Sequence, residues 1–167
     1  MKLLILLASF FLLGVACAQP GKYAGTKKSL IGKEYIVVDS LPALKGWIHK
    51  EGTVMNINPM TDPELHIVEV FQKGTTWLII FSVQEDTSIN RSVIADVVEV
   101  TGVLKGWSVH TGSCSQNNTG NSYLVALGKD TTAAYMKVIK KAWQFDPDKR
   151  RVIILPVKGI KCENIGC

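Results

Sequence analysis

Apolar side chains along this chain recur at every second position or gather in short unbroken runs, and residues that favour turns separate them. Strict alternation marks a half-buried strand, and an unbroken run of Val, Ile and aromatic residues marks a strand covered on both faces. Read this way, strands are predicted over 34–38, 53–57, 92–100, 107–110, 123–127 and 160–162. A hairpin is predicted from 66–72 and 77–83 around Lys73-Gly74-Thr75-Thr76, with a helix over 63–73, started by Pro63, as the other reading of its first arm. A second hairpin joins 143–146 to 151–157 through Pro147-Asp148-Lys149-Arg150, which suits a type I turn. One helix is predicted over about 131–141. Asp130 and Thr131 could cap it, and Tyr135, Val138, Ile139 and Ala142 recur at helical spacing.

This pattern predicts an α+β fold: an antiparallel β-sheet-rich single domain over residues 33–167, with that one helix. Leu44-Lys45-Gly46-Trp47 recurs as Leu104-Lys105-Gly106-Trp107, each copy preceded by a valine-rich segment. Two weakly related halves are one explanation. Core tryptophans beside turn glycines are the other.

The first residues belong to a different class of pattern. Lys2, an apolar run from Leu3 to Val15, and Ala16-Cys17-Ala18 have the order of a secretory signal peptide over 1–18. The run is shorter than the ~20 apolar residues a transmembrane helix needs, so no transmembrane span is expected. Lipoprotein anchoring through Cys17 is the minority alternative. Residues 19–32 are polar and glycine-containing, and read as a flexible leader. The expected location is secreted or periplasmic.

Export changes how the cysteines are read, because thiols oxidise outside the cytosol. Cys114, Cys162 and Cys167 remain after cleavage. The favoured bridge is Cys114–Cys162, a long-range staple on the C-terminal tail, over a small Cys162–Cys167 ring. Cys167 is then left as a free terminal thiol or for dimer formation. His110 with the three cysteines has the donor types of a zinc site, but in no established finger or ribbon spacing, and no metal or cofactor is expected.

Charge adds little. The chain carries 19 Lys and Arg against 14 Asp and Glu. Lys137, Lys140, Lys141, Lys149, Arg150 and Arg151 form the one dense basic run, a candidate patch for an acidic glycan or other anionic polymer. No nucleic-acid motif and no catalytic signature of the metalloprotease, nucleophile-elbow or phosphate-loop kind occurs. Asn90 and Asn117 begin glycosylation triplets.

The candidate binding surface is the segment from Trp107 to Asn121, which sets aromatic residues beside a Ser/Asn/Gly loop. Trp47, Trp107, His110, Ser113, Asn117 and Asn118 are its candidate contacts. The expected function is an exported, non-catalytic binding or inhibitory module for an extracellular or envelope protein or an acidic glycan. Two rivals stand beside it: a small secreted hydrolase using His110 with a carboxylate or Cys114, and a structural envelope or matrix component that binds acidic polymers.

Overall fold

The computed structural model describes residues 24–56, 63–86, 88 and 90–164. The expected signal segment, Cys17, the beginning of the expected leader and Cys167 lie outside the described residues. In chain order come helix α1 (Ala24–Leu30), strand β1 (Glu34–Tyr35) and two single 3-10 turns (Val38–Ser40 and Pro42–Leu44). Strands β2 (Ile48–Val54), β3 (Leu65–Lys73), β4 (Thr76–Gln84), β5 (Ser92–Val100) and β6 (Trp107–His110) follow. Then come β7 (Cys114–Gln116), β8 (Thr119–Gly120), β9 (Leu124–Lys129), β10 (Tyr135–Met136), β11 (Ile139–Asp146), β12 (Arg151–Leu155) and β13 (Ile160–Glu163). No helix among the described residues is long and apolar enough to cross a membrane.

Strand β4 explains the layering. All nine of its residues are buried. Trp77, Ile79, Phe81 and Val83 enter one apolar cluster, whereas Leu78 and Ile80 enter another. Since neighbouring strand residues point to opposite faces, a strand buried throughout must lie inside a sheet covered on both sides. That sheet has the order β1-β5-β4-β3-β2, and all its described pairings are antiparallel.

A second antiparallel sheet, β12-β11-β9-β6, packs on its inner face. Val125, Leu127, Trp143 and Phe145 of the second sheet meet Val68, Val70, Ile79 and Phe81 of the first. The Phe81 and Phe145 rings stack with centroids 5.4 Å apart. Burying each such side chain contributes about 1.5–3 kcal/mol. The back of the second sheet, Leu124, Ala126 and Ala142, is covered by a small third sheet, β10-β13-β7-β8. The Cys114–Cys162 disulfide joins two directly paired residues of this sheet and is buried in the same cluster.

The predicted hairpins form, the first over Lys73–Thr76 and the second over residues 147–150. Strand β5 and the short strand β6 match their predicted spans.

The predicted helix over 131–141 does not form. Residues 131–134 and 137–138 are irregular, and the rest belong to β10 and the first part of β11. Two residues of its supposed apolar face, Tyr135 and Val138, are exposed. The alternation that governs is Ala142, Trp143 and Phe145 against Leu124, Val125 and Ala126, and cross-strand pairing overrides local helical spacing.

The described part of the expected leader holds the one α-helix among the described residues. Seven residues are too few for a helix stable on its own. Helix α1 is held by the wholly buried Leu30 and by the bonds from Gly32 N to Ile94 O (2.8 Å) and from Ile94 N to Lys33 O (3.0 Å). It covers the outer face of the first sheet together with Val38 and Leu44 of the 3-10 turns.

The two Leu-Lys-Gly-Trp copies share a turn, since Gly46 and Gly106 sit at φ 79° and 82°. Their packing differs: Leu44 is buried in the cover of the first sheet, whereas Leu104 is exposed. The fold is a layered antiparallel β structure with one short helix, and duplicated halves do not describe its packing.

Candidate functional site

The sheet orders leave edge strands at each side of the sandwich. Strands β2 and β6 meet at one side; at the other, β5, open beyond its two-residue pairing with β1, meets β12. The first of these openings gathers polar chemistry. A cleft of about 530 Å³ there is lined by Glu51 and Thr53 from β2, by Ser108 and His110 from β6, and by Thr111 and Ser113 just beyond, over the indole of Trp77.

The alternation of β6 sends Val109 into the core and turns Ser108 and His110 the other way. Ser108 pairs across the ladder with Gly128. A Cβ at Gly128 would meet His110 Cδ2 at 3.5 Å, an ordinary contact, so the His110 ring packs beside this position.

Two chains of hydrogen bonds cross the site, and each ends on a carboxylate. In the first, the Ser108 hydroxyl donates to Asp130, and His110 Nε2 lies 2.8 Å from Ser108 Oγ. The hydroxyl has one proton, and that proton is directed to Asp130. Nε2 must therefore carry the ring hydrogen and donate it. In the second, Thr111 Oγ1 donates to Glu51, and Thr53 Oγ1 lies 3.1 Å from Thr111 Oγ1, so Thr53 is the donor. Burial holds the His110 imidazole below its ordinary pKa, and the charges of Glu51 and Asp130 oppose that shift. The ring is thus neutral at neutral pH.

This order differs from that of a nucleophilic triad. There the imidazole stands between hydroxyl and carboxylate and accepts the hydroxyl proton. Here the hydroxyl stands between imidazole and carboxylate, so the ring nitrogen facing it is a donor. Cys114, the other nucleophile candidate from the sequence, is bonded to Cys162. That bond also takes two sulfurs from the zinc set. Among the described residues, no group of three or more His, Cys, Asp or Glu side chains converges on a metal position.

The remaining candidate contacts separate. Ser113 lines the His110 cleft and also a shallower depression beside it, which it shares with Asn118. Asn117 and Asn118 form the β7–β8 turn with φ 51° and 67°, a left-handed conformation that asparagine tolerates, and Asn117 N donates to Gly159 O at 2.9 Å. Trp107 is half-buried at the start of β6, with Lys140 Nζ 5.7 Å from its ring centre. Trp47 packs instead against the outer cluster of the first sheet. Asn90 and Asn117 are both exposed.

The basic run does not make one patch. Arg150 is paired with Glu64 and Glu85, and Lys149 with Asp146 at 3.1 Å. Lys140 and Lys141 stand at the opposite opening of the sandwich, whereas Lys137 and Arg151 are exposed.

Sequence reasoning missed Glu51, Thr53, Ser108, Thr111 and Asp130. The alternation Ser108-Val109-His110 does place Ser108 and His110 on one face. It also missed a cluster on the outer face of the first sheet. There His49 stacks on Phe71 (4.7 Å between centroids), contacts Glu69 at 2.6 Å and lies 3.5 Å from Asp39. Burial raises the Glu69 carboxyl pKa, and the hydrogen bond from His49 opposes the rise. No nucleophile accompanies these groups, and their evident role is to tie a 3-10 turn to the sheet.

No family model, curated protein or solved structure matches this chain.

Proposed function

We propose that this chain is an exported, non-catalytic binding or inhibitory module that receives an extracellular or envelope protein at the His110 cleft. The observation that carries the reading is the order of the hydrogen bonds. Glu51, Thr53, Ser108, His110 and Thr111 form a rigid set of donors and acceptors beside an indole, but no hydroxyl faces a ring nitrogen able to take its proton. Such a set suits recognition, in which fixed polar groups give specificity around an apolar contact. Glu51 and Lys50 line the cleft together with an indole, a mixed lining that suits a protein surface better than a uniformly acidic glycan. A formed disulfide agrees with an oxidising compartment.

The hydrolase reading keeps one observation in its favour: an imidazole, two carboxylates and a hydroxyl do converge. Capture from the native medium separates the two. Wild-type protein and a folded E51Q/H110A variant are immobilised and compared. The binding reading expects a stoichiometric protein partner that the wild type retains and the variant loses. Turnover of ester or peptide substrates that H110A abolishes, with no retained partner, would replace it with the hydrolase.

A further inference from the structure

The opposite opening of the sandwich has a chemistry of its own. Asp96 on β5 bridges to β12 by accepting the Val152 N–H at 2.8 Å. Around this bridge lies a cleft of about 750 Å³, floored by Trp143 and Ile154, with Lys140 and Lys141 beside it. We propose that it is a docking groove for a short extended peptide with alternating apolar and acidic side chains, which adds as a strand to the open edge of β12. The site is separate from the His110 cleft and does not depend on its assignment.

Three features converge on that occupant. First, β12 pairs with β11 and has no strand on its other side among the described residues. Its Val152 N–H points outward, toward Asp96, and backbone groups alternate along an antiparallel strand. Ile154 therefore turns its N–H and C=O outward as well. Second, Ile154 lies opposite Trp143 in the ladder, on the face turned toward the first sheet, yet it is 83% exposed. An apolar side chain so placed is left uncovered by its own fold. Third, Lys141 is exposed at the cleft beside Lys140, whose ammonium lies 5.7 Å from the Trp107 ring centre, whereas Lys27 is 3.3 Å from Asp96.

A peptide strand answers all three. Its backbone continues the ladder past Ile154, one side chain covers Ile154 and Trp143, and an acidic side chain meets the lysines. Strand addition takes its affinity from main-chain bonds and its specificity from alternate side chains. A fatty acid would cover the apolar floor and meet the lysines, but would leave the outward N–H and C=O of Ile154 unsatisfied. An acidic glycan would leave Ile154 uncovered.

The test is a titration of the full isotope-labelled chain with a short, doubly capped peptide alternating glutamate and valine, followed through backbone amide signals. Shifts centred on Val152, Ile154 and Leu155 are expected. K140E/K141E should weaken binding by about tenfold or more, since it reverses the charge complementarity. I154P should weaken it by a similar factor, since proline on an edge strand removes an outward N–H without breaking the native ladder. A peptide N-methylated at alternate amides repeats that test without altering the protein. Absence of shifts at the peptide's solubility limit would overturn the proposal. So would equal binding by both variants and by the methylated peptide, or myristate filling the cleft that the peptide leaves empty.

Discussion

Asp96 and Val152 link the two sheets across their open edges. One carboxylate oxygen of Asp96 accepts the Val152 N–H at 2.8 Å, and the other accepts its neighbour's Val97 N–H at 2.7 Å and lies 3.3 Å from Lys27. One side chain thus satisfies two edge amides and anchors helix α1. Hydrogen bonds to charged groups contribute more than neutral ones, but solvent can reach this edge. D96A is therefore expected to lower stability by about 1–2 kcal/mol, and D96N by less. Urea unfolding followed by tryptophan fluorescence measures both.

Leu30 tests whether the end of the expected leader belongs to the core. It is wholly buried among Tyr35, Leu78 and Ile80. L30A is expected to cost about 2–4 kcal/mol, as for other buried leucines, whereas substitution of the exposed Lys28 should be nearly neutral. A mobile leader would show no difference between the two in thermal unfolding.

The disulfide closes a separation of 48 residues. The loop-entropy relation gives it roughly 4 kcal/mol as an upper value, and removal from small exported domains typically costs about 2–5 kcal/mol. C114S/C162S, or the wild type under reductant, should therefore unfold at clearly lower temperature. The loss should appear first in the third sheet, because both cysteines lie in β7 and β13. Amide exchange resolves that order.

Burial lowers the His110 pKa, so the unfolded chain takes up this proton before the folded chain does. Stability from this group is then complete above its ordinary value of 6.5 and falls as the medium is acidified below it. Glu69 has the opposite sign. Burial raises its pKa, so its contribution is present below its ordinary 4.5 and is lost as pH rises through the folded value. Between about pH 7 and 5, H110Q should lower stability less steeply with acid than the wild type does. Denaturation midpoints across that range check the sign.

Most strands were legible in the sequence because their burial follows from local patterns. Trp77 to Val83 reads as a near-continuous apolar arm of a hairpin, and it lies between two covered faces. The misread helix shows where such patterns stop. Tyr135, Val138, Ile139 and Ala142 have helical spacing, and only the partner strand β9 decides that Ala142, Trp143 and Phe145 form a strand instead. Helix α1 was hidden for the converse reason, since Lys27, Lys28 and Ser29 are exposed and Leu30 supplies the buried anchor. The site was half legible. His110 and Ser113 stood in a segment marked by composition, but Glu51 and Thr53 arrive from β2 through packing of two sheet edges, which no local spacing encodes.

Whether the His110 cleft recognises or attacks turns on which ring nitrogen holds the hydrogen. Nitrogen-15 NMR of the imidazole at neutral pH measures this directly. A neutral ring protonated on Nε2 and hydrogen-bonded to Ser108 is the expected result. A ring protonated on Nδ1, with Nε2 accepting the Ser108 hydroxyl, would contradict it and make Ser108 a nucleophile beside its base.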